Sequence, residues 1–383
     1  MTSWTARDKV AVIGVGTTSF GDLYKTRDKF RSDYDLAAEA FKVAVADAGI
    51  DRAEIDGLLT ARVPSYQHMA DILGMRRPKL SYGFEQAGRM SALAVQAAIN
   101  AIATGHCETV ALVYGNNGRS VGAQYGGGEP TTPTGQYDAA YGMTSAGAYV
   151  GLMYERYRQL NNVPDDGLAA VSINNRNHAK LNPNAVMHDD LDASIYMESR
   201  FVAEPLRLYD YCLINDGGVA LILTSVERAK KLGKPVIAFS GTAACGDLTN
   251  FYTSDDYYYE SCKSVADRVY QQAGTKPRDI DVAQIYDNFT PTILFSLEGF
   301  GFCNRGEAHR WVRDGRIGLG GELPVNTSGG HTSESYMQGW AMHVEAVRQL
   351  RGECGARQVK DAEIAQYICA APVSSSHILR RIA

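Results

Sequence analysis

The order of apolar and polar positions along the chain predicts alternating strands and helices. An apolar run over Val10–Val15 is followed by a turn-rich stretch and then by a helical pattern over Leu36–Ala48. A second helical pattern covers Met90–Ala103 and precedes an apolar strand at Val110–Tyr114. Short apolar runs bounded by turn residues indicate strands, and a period near 3.6 indicates helices. Their alternation is typical of an α/β protein with a mostly parallel sheet covered on both faces.

The same order of elements begins again after Pro235. The strand Val219–Leu223 closes the first half, and the helix after it ends at a glycine and proline stop. The second half is predicted to contain strands at Val236–Phe239, Val282–Tyr286, Ala365–Cys369 and His377–Ile382, and helices at Ser261–Ala273, Pro291–Gly299 and Tyr336–Leu350. Because no residue-level repeat is visible, the inference of two similar halves, residues 1–235 and 236–383, depends on element order alone.

A stretch rich in glycine, threonine and tyrosine interrupts the first half between Gly115 and Met143. A stretch of this length inside a compact protein is usually functional or else poorly ordered. We therefore predict an inserted loop region over residues 115–210, in which the 115–143 segment is a lid or a dimer surface.

Composition and charge restrict the function classes. The chain has 383 residues, of which 45% are hydrophobic and 21% charged, enough to bury one large core or two closely packed ones. The net charge of -5, without any block of Lys or Arg, argues against nucleic acid or an anionic membrane as a partner. No apolar run reaches the ~18 residues of a membrane span, and the polar N-terminus lacks a signal-peptide core. We expect a cytoplasmic protein.

The cysteines and glycines give no signal for a metal or a separate cofactor. The seven cysteines are scattered without a C-x-x-C pair, so neither a disulfide framework nor a zinc site is predicted. Gly14, Gly16 and Gly21 have the wrong spacing for a dinucleotide-binding loop. We expect no metal and no cofactor.

Four separated stretches carry a family resemblance. They are Val10–Thr17, Asn215–Gly218 before a strand, Tyr286–Phe289 and Val325–Gly330. In their order and spacing they resemble the thiolase superfamily, most closely the sterol-carrier-protein-type thiolases and their lipid-transfer-like relatives. The resemblance spans nearly the whole chain. It implies a thiolase fold with two similar halves, each a five-stranded mixed sheet, layered α-β-α-β-α, in a homodimer.

Three positions that carry catalysis in thiolases differ in this chain. Where the family has a nucleophilic cysteine, at the start of the Met90–Ala103 helix, the chain has Gly88 and no cysteine within reach. Thioester exchange needs such a thiolate, so no acyl-enzyme is expected. Tyr336 stands at the histidine of the family's glycine-histidine-proline motif, and Tyr286 opens the segment that matches its asparagine-glutamate-alanine-phenylalanine motif.

Two phenols that face one pocket can move protons and hold an enolate, as retro-aldol cleavage of a β-hydroxyacyl-CoA requires. The pattern resembles the steroid side-chain-cleaving aldolases of the superfamily, which lack the cysteine and have tyrosines at these two positions. The resemblance implies that a 17-hydroxysteroid C22 side-chain CoA thioester is cleaved to a 17-ketosteroid and propionyl-CoA, with CoA as part of the substrate. It also implies a small second subunit with an OB-like fold and a zinc ribbon, forming a heterotetramer.

Other residues of the same loops are candidates for the site. His331 is a candidate to replace the missing histidine. Asp287 and Asn288 follow Tyr286, and strand alternation allows at most one of them to share the pocket. The predicted substrate-binding residues are Gly88, Gly329 and Gly330.

Several alternatives stay open at this point. Cys369 lies near the position of a C-terminal cysteine that acts as a base in thiolases, and a buried strand cysteine is the other reading. The chain is also compatible with a thiolase or acyltransferase for a branched or aromatic 3-oxoacyl-CoA, or with a non-catalytic acyl-CoA or lipid-binding protein. Which tyrosine is the base is likewise undecided.

Overall fold

The computed structural model describes residues 4–84, 88–124, 133–246 and 256–382. The strands are β1 Val10–Thr17, β2 Gly57–Ala61, β3 Leu80–Phe84, β4 Thr109–Asn116, β5 Phe201–Ala203, β6 Leu206–Arg207, β7 Gly217–Ser225, β8 Val236–Gly246, β9 Val282–Ile285, β10 Ile364–Cys369 and β11 Val373–Ile382. The helices are α1 Phe20–Thr26, α2 Asp33–Ala48, α3 Tyr66–Ile72, α4 Met90–Ala103, α5 Pro133–Ala140, α6 Ala146–Asn161, α7 Ala169–Lys180, α8 Ala193–Glu198, α9 Val226–Ala229, α10 Tyr259–Ala273, α11 Pro291–Gly299, α12 Ala308–Trp311, α13 Gly330–Ser333 and α14 Trp340–Arg351.

The two halves share one sheet of nine strands, in the order β3-β2-β4-β7-β1-β8-β11-β10-β9. The first half contributes five strands. The second contributes four, together with an isolated parallel bridge between Ala283 and Val325 in place of a fifth. The halves are joined where β1 pairs with β8, through Ala11 opposite Ala238 and Val12 opposite Ile237.

The sheet is mixed, and the expectation of a mostly parallel sheet is wrong. Parallel pairing is confined to β2 with β3 and β4, and to β9 with β10. The other pairs of this sheet are antiparallel. One reason is the short connection between β10 and β11, Ala370 to Pro372, because a connection of that length can join only antiparallel neighbours.

Helix α2 packs very closely against the strands of the first half. It begins at a capping box in which the Ser32 side chain accepts from the Asp35 backbone, and it ends at Gly49 in the left-handed region. A β-carbon at Gly14 would lie 2.3 Å from the Ala44 carbonyl oxygen. Glycine therefore allows the helix to lie directly on β1.

Helices α4 and α14 pack against strands of both halves, whereas α2 packs on the first half and α10 on the second. Val95 and Ile99 of α4 share a buried cluster with Val347 of α14. The result is the α-β-α-β-α layering that the family resemblance implies. Both central helices also approach the site described below, at their N-terminal ends.

The predicted bounds of α4 and α11 agree with the structure, but α14 begins at Trp340 and not at Tyr336. Gly339, at the N-terminus of α14, has a φ of 85°, which favours glycine and is incompatible with a continuing helix. Tyr336 therefore lies in the loop before the helix.

The inserted region is more regular than the predicted loop. It contains α5 to α8 and the two-stranded β5-β6 sheet, and residues 125–132 of the predicted lid segment lie outside the described residues. The second half begins with β8 at Val236. Within the described residues, no helix is long and apolar enough to cross a bilayer.

Candidate active site

Two tyrosines from different loops meet between α4 and α14. Tyr286 directly follows β9, and Tyr336 lies in the loop before α14. Their phenol oxygens are 3.0 Å apart, which is hydrogen-bonding distance. Tyr286 is only 4% exposed, whereas Tyr336 keeps a partly exposed side. The structure thus brings together the two residues that the sequence analysis assigned to one pocket.

Gly88 makes room for this pair. A β-carbon at Gly88 would lie 1.7 Å from the Tyr286 Oη and 2.7 Å from its Cζ. The phenol of Tyr286 therefore occupies the space into which any side chain at position 88 would project. A cysteine at position 88 would collide with the Tyr286 phenol, so a side chain at this position and Tyr286 in its present place exclude each other.

His331 packs between the two phenol rings. Its ring centre is 4.7 Å from that of Tyr286 and 5.1 Å from that of Tyr336, with edge-to-face geometry in both cases. Its Nε2 accepts the backbone N–H of Gly339 at 3.0 Å, so the ring proton lies on Nδ1. Burial lowers the pKa of His331 to about 3. The ring is therefore neutral, and its only lone pair is already engaged.

Asp287 fixes the position of the His331 backbone. Its Oδ1 accepts the backbone N–H of His331 at 2.8 Å, and its Oδ2 accepts from the Asn175 side chain at 2.7 Å. The His331 Nδ1 lies 3.2 Å from Oδ1, without the angle of a hydrogen bond. Burial raises the pKa of Asp287 to about 8, although these hydrogen bonds oppose the rise. Asp287 thus links the loops of both tyrosines.

The neighbouring candidates have different surroundings. Asn288 is partly buried, and its side-chain oxygen accepts the backbone N–H of Phe289 at 3.1 Å. Asp287 contacts the His331 loop through its carboxylate. Because β9 ends at Ile285, before both Asp287 and Asn288, the alternation argument does not apply to this pair. Gly329 and Gly330 have φ values of 112° and 60°, which favour glycine. Both are buried, and a β-carbon at Gly330 would lie 2.4 Å from Asp287 Oδ2, so their contact with substrate stays a prediction.

Tyr336 is the member of the pair that reaches a cleft. The described part of this cleft has a volume of about 200 Å³, and Arg62, Tyr114 and Asn116 also line it. Burial raises the pKa of Tyr336, and the positive charge of Arg62 and a hydrogen bond from Tyr286 oppose the rise. Burial also raises the pKa of Tyr286, and Tyr336 adds to that rise. Both phenols are neutral near pH 7.

A second layer of buried polar residues lies behind Tyr286, and the sequence analysis missed it. The Ser91 Oγ lies 3.1 Å from the Tyr367 Oη, and the His343 ring stacks on Tyr367 at 4.0 Å between centres. His343 Nδ1 donates to the Gly339 carbonyl oxygen at 2.9 Å. A β-carbon at Gly339 would lie 2.5 Å from the Tyr367 Oη. Gly339 is therefore fixed on one side by His331 and on the other by this layer.

Asn215 is a further residue without a predicted role. Its side-chain oxygen accepts the backbone N–H of Tyr336 at 2.8 Å and so positions that loop. Asn215 opens the turn before β7, one of the stretches that carry the family resemblance, so this sequence signal was visible.

Cys369 lies in β10 and is fully buried. Burial raises the pKa of its thiol, which disfavours the thiolate that a basic role would need. The structure favours the buried strand cysteine of the two readings. Across the described ranges of the chain, no three His, Cys, Asp or Glu side chains are grouped as metal ligands.

Comparison with known proteins identifies a family and several similar proteins. Residues 244–379 match the family described as thiolase C-terminal domain-like. A steroid side-chain-cleaving aldolase of Thermomonospora curvata is 35% identical over 358 residues, which cover 89% of this chain and 90% of the relative. A 17-hydroxy-3-oxo-4-pregnene-20-carboxyl-CoA lyase of Mycobacterium tuberculosis is 33% identical, with coverage of 90% and 92%. The solved structure of an Ltp2-ChsH2(DUF35) aldolase matches with a TM-score of 0.88 and 31% identity, covering 98% of this chain and 99% of that chain.

The chain belongs to the thiolase superfamily. More narrowly, it is an enzyme of the aldolase type within that superfamily, a carbon–carbon lyase on a thiolase fold. The predicted family, the α/β thiolase fold and the enzyme class are confirmed. The residues that perform the reaction are inferred from the geometry of the site.

Proposed function

We propose that this enzyme cleaves a C22 side-chain CoA thioester of a 17-hydroxysteroid by a retro-aldol reaction, giving a 17-ketosteroid and propionyl-CoA. The observation that carries the proposal is the contact between Tyr286 and Tyr336, with Tyr286 filling the side-chain space at Gly88. Similarity to a steroid side-chain-cleaving aldolase and to a 17-hydroxy-3-oxo-4-pregnene-20-carboxyl-CoA lyase supports the steroid and CoA parts of the substrate.

The tyrosine pair suits a reaction that moves one proton out of the substrate and one proton back. As the carbon–carbon bond breaks, one phenol accepts the proton of the 17-hydroxyl group and gives its own proton to the other phenol across the hydrogen bond between Tyr286 and Tyr336. In the same step the other phenol gives its proton to the α-carbon, where the bonding electrons form the new C–H bond, and enolate-like charge develops on the thioester only in the transition state. Neither free CoA nor water is consumed.

A relay of this kind removes the need for a tyrosinate. An isolated tyrosine has a pKa of ~10, and burial raises the pKa of both residues further, so a free phenolate base is disfavoured at neutral pH. When one proton enters the pair as another leaves, neither phenol holds a full charge. Tyr336 faces the cleft and is the residue that meets the substrate hydroxyl in this proposal.

His331 and Asp287 orient Tyr286 and Tyr336 and do not transfer protons themselves. Because the His331 Nε2 lone pair accepts from Gly339, the imidazole cannot take a substrate proton without breaking that bond. Its contacts with both rings instead fix the distance between the phenols. Asp287 holds the His331 backbone, so we assign both residues to orientation of Tyr286 and Tyr336.

The proposal includes an assembly of two kinds of subunit. We expect a homodimer of this chain that binds two copies of a small subunit with an OB-like fold and a zinc ribbon, forming a heterotetramer. The similar solved structure is an Ltp2-ChsH2(DUF35) aldolase, named for two components, which supports a second subunit. CoA enters as part of the substrate, and no separate cofactor is proposed.

The test is cleavage of the 17-hydroxysteroid CoA thioester by the chain purified with its small subunit, in the absence of free CoA. We expect equal amounts of 17-ketosteroid and propionyl-CoA, measured by liquid chromatography and mass spectrometry. Product formation only after addition of free CoA would identify a thiolase. Tight binding without any cleavage would identify a carrier, and either result would refute the proposed reaction.

A further inference from the structure

Arg62 is a cation at the cleft that the proposed relay does not use. It directly follows β2 and lines the cleft together with Tyr336, Tyr114 and Asn116. Its φ is 67°, in the left-handed region. For a residue other than glycine, such a conformation is energetically unfavourable and is often found at functional sites. The chain thus maintains an unfavourable backbone conformation where β2 meets the cleft.

The guanidinium of Arg62 has no partner within the described residues. No hydrogen bond and no ion pair to it occurs there. Burial raises the pKa of Asp33 and Arg62 opposes that rise, so Asp33 senses the charge of Arg62 without forming an ion pair with it. Asp33 instead accepts the backbone N–H of Asn117 at 2.7 Å. A partly buried cation that forms no ion pair among the described residues is poised to bind an anion.

The charge of Arg62 acts on the phenols that border the cleft. Burial raises the pKa of both Tyr114 and Tyr336, and in each case Arg62 opposes the rise. The same positive potential would favour any negative charge that forms beside the Tyr336 hydroxyl. In a retro-aldol reaction, that charge is on the oxygen of the thioester enolate.

We propose that Arg62 stabilises the thioester enolate in the cleft beside Tyr336, an assignment that rests on the proposed lyase function. In the transition state, part of the charge of the breaking carbon–carbon bond develops on the thioester oxygen, and the positive charge of Arg62 at the same cleft stabilises it. The proton delivered to the α-carbon removes this charge, and no bond to Arg62 forms or breaks. A fixed cation aimed at developing charge is among the largest catalytic effects in a partly dehydrated site.

The phosphates of CoA are the other anions that a guanidinium at this cleft would bind. The two sources are distinguished by comparing the CoA thioester with a pantetheine thioester of the same acyl group, which lacks the nucleotide phosphates. We expect Arg62→Gln to lower kcat by about 10²-fold or more with both substrates, and Arg62→Lys to lose less because the charge remains. A loss seen only with the CoA thioester would overturn the proposal in favour of phosphate binding.

A second measurement tests the role of Arg62 independently of which steroid the enzyme cleaves. Enolate formation from propionyl-CoA exchanges its α-hydrogens with deuterium oxide, and mass spectrometry follows this without any steroid cleavage. Exchange by the wild-type complex without steroid cleavage would refute the proposed substrate while leaving Arg62 testable. We expect Arg62→Gln to slow exchange by a similar factor. Equal exchange in both proteins, or none in the wild type, would overturn the assignment.

Arg278→Gln is the matched control. Arg278 is an exposed arginine that lines a different surface cleft, which contains neither tyrosine. The substitution removes the same charge and should leave both reactions unchanged. A structural role of Arg62 is checked by thermal unfolding, because Gln and Lys at position 62 have the same left-handed backbone to satisfy.

Discussion

The two sides of the tyrosine pair differ in their access to water and in what their residues can do. On the cleft side lie Tyr336 and Arg62, a phenol and a cation that border an open volume. On the buried side lie Tyr286, Tyr367 and His343, which are almost fully enclosed. The hydrogen bond of 3.0 Å between Tyr286 and Tyr336 joins the sides.

This difference separates a closely packed support for the tyrosine pair from the groups that can contact a substrate. The buried side is so closely packed that a β-carbon at Gly88 would collide with Tyr286, and one at Gly339 would collide with Tyr367. Rigid packing there holds Tyr286 at one distance from Tyr336. The cleft side retains polar groups that can meet a substrate. We therefore expect substitutions of cleft-side residues to change mainly turnover, substitutions of residues behind Tyr286 to change mainly stability, and substitutions at Tyr286 itself to change both.

The largest effect on activity is expected for Tyr336→Phe. Loss of the hydroxyl breaks the proton relay, and a positioned acid or base typically contributes about 10²–10⁴-fold, so turnover should fall by that factor while thermal unfolding stays nearly unchanged. The control is Tyr114→Phe, because Tyr114 lines the same cleft and its hydroxyl has no hydrogen-bond partner among the described residues. Similar losses in both variants would contradict the assignment of Tyr336.

Gly88→Ala should affect both sides, because the added carbon meets the Tyr286 Oη. Overpacking typically costs about 1–3 kcal/mol of unfolding free energy, and displacement of the phenol should lower turnover as well. The double variant Gly88→Ala with Tyr286→Phe should recover part of the stability but not the activity, since the hydroxyl is the nearest atom. Denaturant unfolding and the lyase assay measure the two quantities. Unchanged stability in Gly88→Ala would show that Tyr286 does not fill this space.

A smaller and pH-dependent effect is expected for Asp287→Asn. The pKa of Asp287 is about 8 in the folded protein and ~3.9 when unfolded, so its contribution to stability is complete below ~4 and is lost as pH rises towards 8. His331 has a folded pKa of about 3, and its contribution is lost as pH falls below ~6.5. Between pH 6.5 and 8, the contribution of Asp287 to the free energy of unfolding changes with pH, whereas that of His331 stays constant.

In that window, wild-type stability should fall relative to Asp287→Asn by at most about 1.4 kcal/mol per pH unit. Urea unfolding of both proteins at pH 6.5, 7.2 and 8 would measure the difference. Parallel pH profiles would mean that Asp287 is already ionised in the folded protein.

The smallest effect is expected for Tyr367→Phe on the buried side. It removes the contact with Ser91 at 3.1 Å, and the loss of one such hydrogen bond costs about 1 kcal/mol. Turnover should change little, because Tyr367 lies behind Tyr286. A loss of turnover as large as that of Tyr336→Phe would extend the proton relay to this layer and would break the distinction between the two sides.

The part of the site that could be predicted from the sequence consists of departures from a family pattern. Gly88, Tyr286 and Tyr336 were predicted as site residues because each lies in or beside a segment that resembles a segment of the thiolase family. His331 and Asp287 were visible as their neighbours. Ser91 and Tyr367, in contrast, are 276 positions apart in regular elements and have no local signal.

The fold also has features that the sequence predicted and features that it did not. Periodicity and turn residues predicted α4 and α11 with their bounds, because these signals arise from residues a few positions apart. They did not predict the direction of strand pairing or the helices of the inserted region. They also placed Tyr336 at a helix start, which the left-handed Gly339 excludes.

By itself, the sequence determined that the chain has a thiolase-like α/β fold, that no cysteine lies near position 88, and that Tyr286 and Tyr336 lie in segments resembling those of the family. Only the tertiary structure decided that the phenols are 3.0 Å apart, that Tyr286 fills the space beside Gly88 and that Arg62 shares a cleft with Tyr336. The reason is physical. Residue type and periodicity depend on short-range chemistry, whereas contacts between distant loops and strand ends are set by how the helices and the sheet pack.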